Sequence, residues 1–265
     1  MNQEVTLTSA AISLGSIKKS YIKWGVNFLK HSLNNTPYNI VLLTNKVESF
    51  SEFQNNERVK LVDVSDKYII KSERTRSIWM HIKLHAINEA SILFNSKFII
   101  YCDVDTFPNS NFDSEAVKNF LNSESMKAVD CFFCRIGKIA GDKNWDPVIK
   151  PLNWTPSQYP SRYPIPMETN LVLRVSDKLN KFIETWKKIE ELTPKSHTTF
   201  RIGYPIAISM QEANMTFFAY DQRKKAGIVN YTNFWNLHNL GFICNFFGSP
   251  MSGISKSILP PETLM

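Results

Sequence analysis

The chain has 265 residues, 43% of them apolar and 12% aromatic, enough to bury a sizeable core and too many for a disordered polymer. Lys and Arg outnumber Asp and Glu by 31 to 24, giving +7, but the basic residues are scattered, with short pairs such as Lys187-Lys188 and Lys224-Lys225. That pattern suits an anionic small molecule and argues against a nucleic-acid groove. No basic-then-apolar leader stands at the N-terminus, and no segment approaches the roughly 20 apolar residues of a membrane span, so a cytoplasmic location is expected. Four cysteines fit a reducing compartment. Cys131-Phe-Phe-Cys134 stands alone in a strand-like run, where alternation sends the two thiols to opposite faces.

In chain order, residues 5–8 read as a strand, residues 10–16 as a turn, and residues 17–33 as an amphipathic helix. Residues 38–44 and 59–64 are two further strands, the latter ending near Asp63 and Asp66. Residues 77–94 carry Ile78, Ile82, Leu84 and Ile87 at mostly helical spacing, and the apolar run 97–102 follows as a strand. Strands alternating with helices predict an α/β fold with a mostly parallel central sheet flanked by helices, built as a single domain. Residues 1–110 are expected to be a nucleotide-binding half, and residues 111–265 an acceptor-binding half with a C-terminal tail. There, strands are expected at 130–136, 168–175 and 215–220, helices at 177–192 and 205–214, and a long loop at 141–166.

The strand at 97–102 ends in Asp103-Val-Asp105. Open α/β sheets bind ligands beyond the carboxyl ends of their strands, where these two side chains emerge. Two carboxylates one residue apart are suited to a hard divalent cation, which in turn neutralises phosphate. Lys83, on the preceding helix, either offers an ammonium to phosphate or sugar or runs its stem along the helix towards water. The segment Thr8-Ser9-Ala10, after the first strand, is placed by topology at the base and ribose, with Asp63 or Asp66 assisting.

Several blocks together resemble the GT-A glycosyltransferases, metal-dependent nucleotide-sugar enzymes, and most of all the group around glycogenin and the galactosyl- and xylosyltransferases. Ser77-Ile-Trp79-Met-His-Ile-Lys83 resembles the helix before the family's Asp-x-Asp strand, and Phe98-Ile-Ile-Tyr-Cys-Asp103-Val-Asp105 resembles that strand. Glu168-Thr-Asn170-Leu-Val-Leu-Arg174 is similar to its Asn-x-Gly strand, and Gly203-Tyr-Pro-Ile-Ala-Ile to its acceptor-side helix. Asn236-Leu-His238-Asn-Leu-Gly241 is similar to the Leu-His-x-x-Gly of the C-terminal metal ligand. Glu168, Asn170 and Gly203-Tyr204 depart from the family's usual residues.

The resemblance implies a nucleotide-diphosphate sugar donor, UDP- or GDP-linked, a glycan or glycolipid acceptor, and transfer with retention. It also implies Mn²⁺ or Mg²⁺ held by Asp103, Asp105 and His238, the imidazole favouring Mn²⁺. Taken alone, without the resemblance, His238 reads as an ordinary buried histidine in an aromatic cluster. Glu168 is the candidate catalytic group at the sugar carbon and Glu212 a second one. Trp145, Trp154 and Tyr159 either stack on an acceptor sugar or bury their own loop. Two rivals share the motif. One is a haloacid-dehalogenase-type phosphatase, for which Gly141-Asp142-Lys-Asn-Trp-Asp146 would be the later metal motif; the other is a non-catalytic GT-A homologue that binds nucleotide sugar.

Overall fold

The computed structural model describes residues 4–13, 20–65, 77–108, 110, 112–137, 163–166, 170–192, 203–220 and 242–244. The first half alternates β1 (Val5–Ala11), α1 (Ser20–Asn35), β2 (Asn39–Thr44), a 3-10 stretch at Val47–Phe53, β3 (Val59–Asp63), α2 (Ser77–Leu93) and β4 (Phe98–Cys102). The second half adds β5 (Thr106–Pro108), α3 (Ser114–Asn122), β6 (Cys131–Gly137), β7 (Tyr163–Pro166) and β8 (Asn170–Arg174). It ends with α4 (Asp177–Leu192), α5 (Gly203–Glu212), β9 (Phe217–Tyr220) and β10 (Phe242–Cys244).

Eight strands form one sheet in the order β3-β2-β1-β4-β8-β6-β7, with β9 also paired to β6. β1 runs parallel to β2 and β4, and β2 parallel to β3. β8 enters antiparallel to β4, and β6 is antiparallel to β8, so β6 and its parallel partner β9 run with the first four strands. Within this sheet β7 and β8 run against the rest. The expected α/β architecture, a mostly parallel sheet flanked by helices, is what the chain builds. β5 and β10 pair separately as a two-stranded antiparallel ribbon.

Period-two alternation along the central strands divides the core into two layers. Val5, Leu7, Ile40, Leu42, Phe98, Ile100 and Val172 face one side, where Phe28 and Leu29 of α1 and Val117 and Leu121 of α3 cover them. Val41, Leu43, Ile99, Tyr101, Leu171 and Leu173 face the other, under α2, α4 and α5. α2 lies between the sheet and α4, so residues 81–87 are all buried. Most of its polar side-chain atoms there are handed to partners: Trp186 Nε1 donates to His81 Nδ1 at 3.2 Å, although His81 Nε2 has no partner among the described residues, and His85 Nε2 lies 3.0 Å from the Glu190 carboxylate.

Several boundaries differ from expectation. β1 continues three residues past Thr8, because Ser9, Ala10 and Ala11 stay in register with Leu42, Leu43 and Thr44. Small residues of low strand propensity are thereby carried by pairing on a buried central strand. Residues 163–166, expected as the end of a loop, form β7 against β6; Pro164 and Pro166 are tolerated because β7 is an edge strand. The short elements β5, α3 and β10 were not expected. Asp113 caps α3 by accepting from Ala116 N at 2.9 Å.

Two packing points yield predictions. A Cβ on Gly25 of α1 would lie 2.6 Å from Ala11 Cβ and 2.9 Å from Phe50 Cζ. Overpacking of roughly 1–3 kcal/mol is expected to outweigh the ~1 kcal/mol that Ala gains over Gly in a helix. Gly25→Ala should therefore lower the denaturation midpoint, and Gly25→Val should lower it further. Asp130 joins three elements, accepting from Lys178 Nζ at 2.8 Å and from Thr216 N and Oγ1, both at 2.7 Å. Burial pushes its carboxyl up, but the Lys178 and Thr216 hydrogen bonds win and hold it below the usual range. Its stabilisation is thus present above the unfolded carboxyl's pKa and lost as pH falls through the folded one. Asp130→Asn should cost roughly 2 kcal/mol near neutral pH, and the difference from wild type should shrink in acid unfolding curves.

Candidate active site

The alternation that sends Tyr101 towards α2 sends the second residue after it the same way, so Asp103 leaves the carboxyl end of β4 on the α2 side. A short turn joins α2 to β4, so α2 runs back along the sheet with its first half at that same edge. Lys83 Nζ consequently donates to Asp103 Oδ1 at 2.7 Å, with the lysine side chain only 7% exposed and the carboxylate 29%. Tyr101 Oη donates to the same oxygen at 3.0 Å, and the ammonium lies 5.2 Å from the Tyr101 ring centre. Lys83 is thus neither stretched into water nor free for an incoming phosphate.

Asp105 is held by a tight turn in which Thr106 N donates to Asp103 O at 2.7 Å, while Val104 between them sinks into the core. Burial first, and then the Asp103 charge, push the Asp105 carboxyl up to about 7, against the pull of a backbone hydrogen bond and of Lys83. Tyr21 of α1 senses the same field from the opposite layer: burial, then Asp105 and Asp103, raise its phenol. Two oxygen-donor groups crowded until one is driven towards protonation fit a hard divalent cation, whose charge would relieve both. Among the described residues no group of three or more His, Cys, Asp or Glu gathers as a metal cage, so the pair supplies only part of a coordination shell.

The other expected site residues are placed unequally. Thr8, Ser9 and Ala10 belong to buried β1 rather than to a turn. Thr8 Oγ1 donates to Ala86 O at 3.1 Å, Ala10 packs in the α2-side core, and Ser9 Oγ is buried with no partner among the described residues. The loop begins instead at Ser13, whose backbone N and O are bracketed by the Asn45 side chain at 2.9 and 2.8 Å. Asp63 is exposed at the end of β3 and accepts from Ser65 N at 2.8 Å and from Ser65 Oγ, bonds that lower its carboxyl. It shares the carboxyl edge with Asp103 but stands three strands away, roughly 14 Å at ~4.8 Å per strand.

Glu212 is not brought to the pair. It closes α5, and within five residues the chain enters β9 opposite Cys131, which is level with Ile99 near the start of β4. That is the opposite edge of the sheet. Asp66, Glu168, His238, Trp145, Trp154, Tyr159 and the 141–146 motif lie outside the described residues. Glu168 precedes by two positions the residue at which β8 meets Cys102. β10 begins four positions after His238 and pairs Cys244 with Thr106, the residue after Asp105. Sequence reasoning missed Tyr101, Tyr21 and the Ser13–Asn45 bracket. Tyr101 had a usable signal in its same-face spacing two residues before Asp103.

No family model and no curated protein matches the chain. Among solved structures it is similar to a crystal structure of galactosyltransferase LgtC in complex with donor and acceptor sugar analogs. The identity is 11%, over 80% of this chain and 72% of that one, with a TM-score of 0.45.

The two carboxylates differ in what they do for the metal-free protein. Asp103→Asn removes the anion on a buried ammonium and should destabilise by roughly 3 kcal/mol. Asp105→Asn should raise the melting temperature at pH 8. The folded Asp105 holds its proton up to about 7 while the unfolded one releases it near 4. Charging Asp105 therefore lowers stability as pH rises between those values. Thermal melts of both variants from pH 4 to 8, with chelator present, check the opposite signs.

Proposed function

We propose that the chain is a metal-dependent GT-A-type glycosyltransferase, one domain over residues 1–265, acting on a nucleotide-diphosphate sugar and a glycan or glycolipid acceptor, with retention. The observation that carries this reading is the Asp103/Asp105 pair, crowded and incompletely neutralised at the carboxyl edge of a central parallel strand. Asp103 and Asp105 would hold Mn²⁺ or Mg²⁺, with His238 as a third ligand. When bound, the cation supplies Lewis-acid stabilisation of the departing diphosphate, an effect worth several kcal/mol. Lys83 adds a buried positive charge beside the same carboxylate. Asp63, at the far end of the same edge, is spaced for the base end of a nucleotide whose phosphates sit at β4. Glu168, from the segment leading into β8, is the candidate group at the sugar carbon. Glu212 has no part in this scheme.

Ligands that bind only the native state raise its melting temperature. Melting the protein with UDP, GDP and their sugars, each with and without Mn²⁺, should give a shift with one base that requires the metal. Asp105→Asn, which leaves the Lys83–Asp103 pair intact, should abolish that shift. A wild-type protein that is folded but shifts with no nucleotide refutes the reading.

A further inference from the structure

The Lys83–Asp103 contact spends one oxygen of a carboxylate that a cation would need. Lys83 Nζ and Tyr101 Oη both donate to Asp103 Oδ1, at 2.7 and 3.0 Å. Lys83 cannot carry its charge off into water, because its side chain is 7% exposed, with the ammonium 5.2 Å from the Tyr101 ring centre. A buried ammonium needs an anion beside it. A divalent cation arriving alone would share that anion with Lys83 and meet a like charge across it. A diphosphate arriving with the cation changes the balance, since its oxygens are anions to which the ammonium can turn.

We propose that Lys83 is a coupling residue that makes metal and diphosphate binding interdependent: its ammonium, on Asp103 Oδ1, opposes a bare divalent cation and ceases to do so once a diphosphate is bound. This deepens the metal-dependent reading given above and rests on it. Tyr101 acts differently. Its neutral hydroxyl orients the carboxylate without competing for it, so Tyr101 is a positioning residue only. Coupling of this kind is reciprocal: the factor by which diphosphate tightens metal equals the factor by which metal tightens diphosphate.

The test measures binding, not turnover. Free Mn²⁺ is followed by electron paramagnetic resonance during titration of wild type, Lys83→Met, Lys83→Arg and Tyr101→Phe, each alone and with saturating UDP or GDP. In wild type the nucleotide should tighten Mn²⁺ at least tenfold. Lys83→Met, similar in shape but uncharged, should bind Mn²⁺ alone at least tenfold more tightly than wild type, and the factor by which nucleotide tightens Mn²⁺ should fall correspondingly, leaving what direct metal–phosphate coordination supplies. Lys83→Arg, which keeps the charge, should retain the interdependence. Tyr101→Phe should weaken Mn²⁺ about tenfold, as loss of an outer hydrogen bond to a metal ligand does, while nucleotide still tightens it by the wild-type factor. Lys83→Met binding Mn²⁺ alone no more tightly than wild type overturns the coupling and leaves the metal site standing. Tyr101→Phe losing the interdependence as Lys83→Met does also overturns it, since charge would not be the cause. Wild type that takes up no Mn²⁺, with or without nucleotide, refutes the metal-dependent reading and the coupling with it.

Discussion

A helix covered on both sides must find partners for the charges it carries, and α2 is such a helix over residues 81–87. Sheet on one side and α4 on the other leave residues 81–87 without water, although they include His81, Lys83 and His85. Each is tied to a neighbour: His81 to Trp186, His85 to Glu190, Lys83 to Asp103. An unpartnered buried charge would cost several kcal/mol, a large share of the 5–15 kcal/mol that keeps a domain folded. The first two ties lock α4 onto α2. The third locks the end of β4 onto α2, and so fixes where the paired carboxylates point.

That arrangement makes the carboxyl edge asymmetric. Asp103 is satisfied by protein groups and partly shielded, whereas Asp105 bears the cost of proximity and is pushed towards neutrality. A charge on Asp105 is thus unfavourable beside Asp103 unless something positive stands near it. Surrounding residues act on the pair from both layers of the core, Lys83 and Tyr101 from one and Tyr21 from the other. Much of the rest of the molecule is scaffolding: Arg58 closes the end of α1 by donating to the carbonyls of Leu33, Thr36 and Tyr38, and Arg174 ties β8 to Val129 and Met126.

The first hundred residues were legible because their signals are strong and local. Hydrophobic runs at β2, β3 and β4, each followed or preceded by a helical period, translate directly into a parallel sheet. The misreadings have physical causes. Thr8-Ser9-Ala10 is weak as a strand in isolation, and only the neighbouring β2 holds it extended. β5 and β10 are three residues each and exist through one another, a pairing no local pattern can announce. The spacing in α2 was only mostly helical because residues 81–87 are all buried, and that same burial decided Lys83's partner. Asp103 and Asp105 were visible as a motif. Which of them is neutralised and which is strained depends on tertiary placement.

The β5–β10 ribbon makes the acidic edge draw on two distant parts of the chain. Phe242 and Pro108 are roughly 130 residues apart, so their pairing closes a long loop that must be ordered before the contact offers any return. β4 likewise enters its sheet through long-range pairing, Ile99 with Thr6 on one side and Cys102 with Asn170 on the other. β10 is translated after every described strand of that sheet and lies against Thr106, the residue after Asp105. A nascent chain that has emerged as far as β9 therefore holds the acidic pair and the strands of its sheet, while Thr106 beside that pair gains its ribbon partner only once residues 242–244 follow.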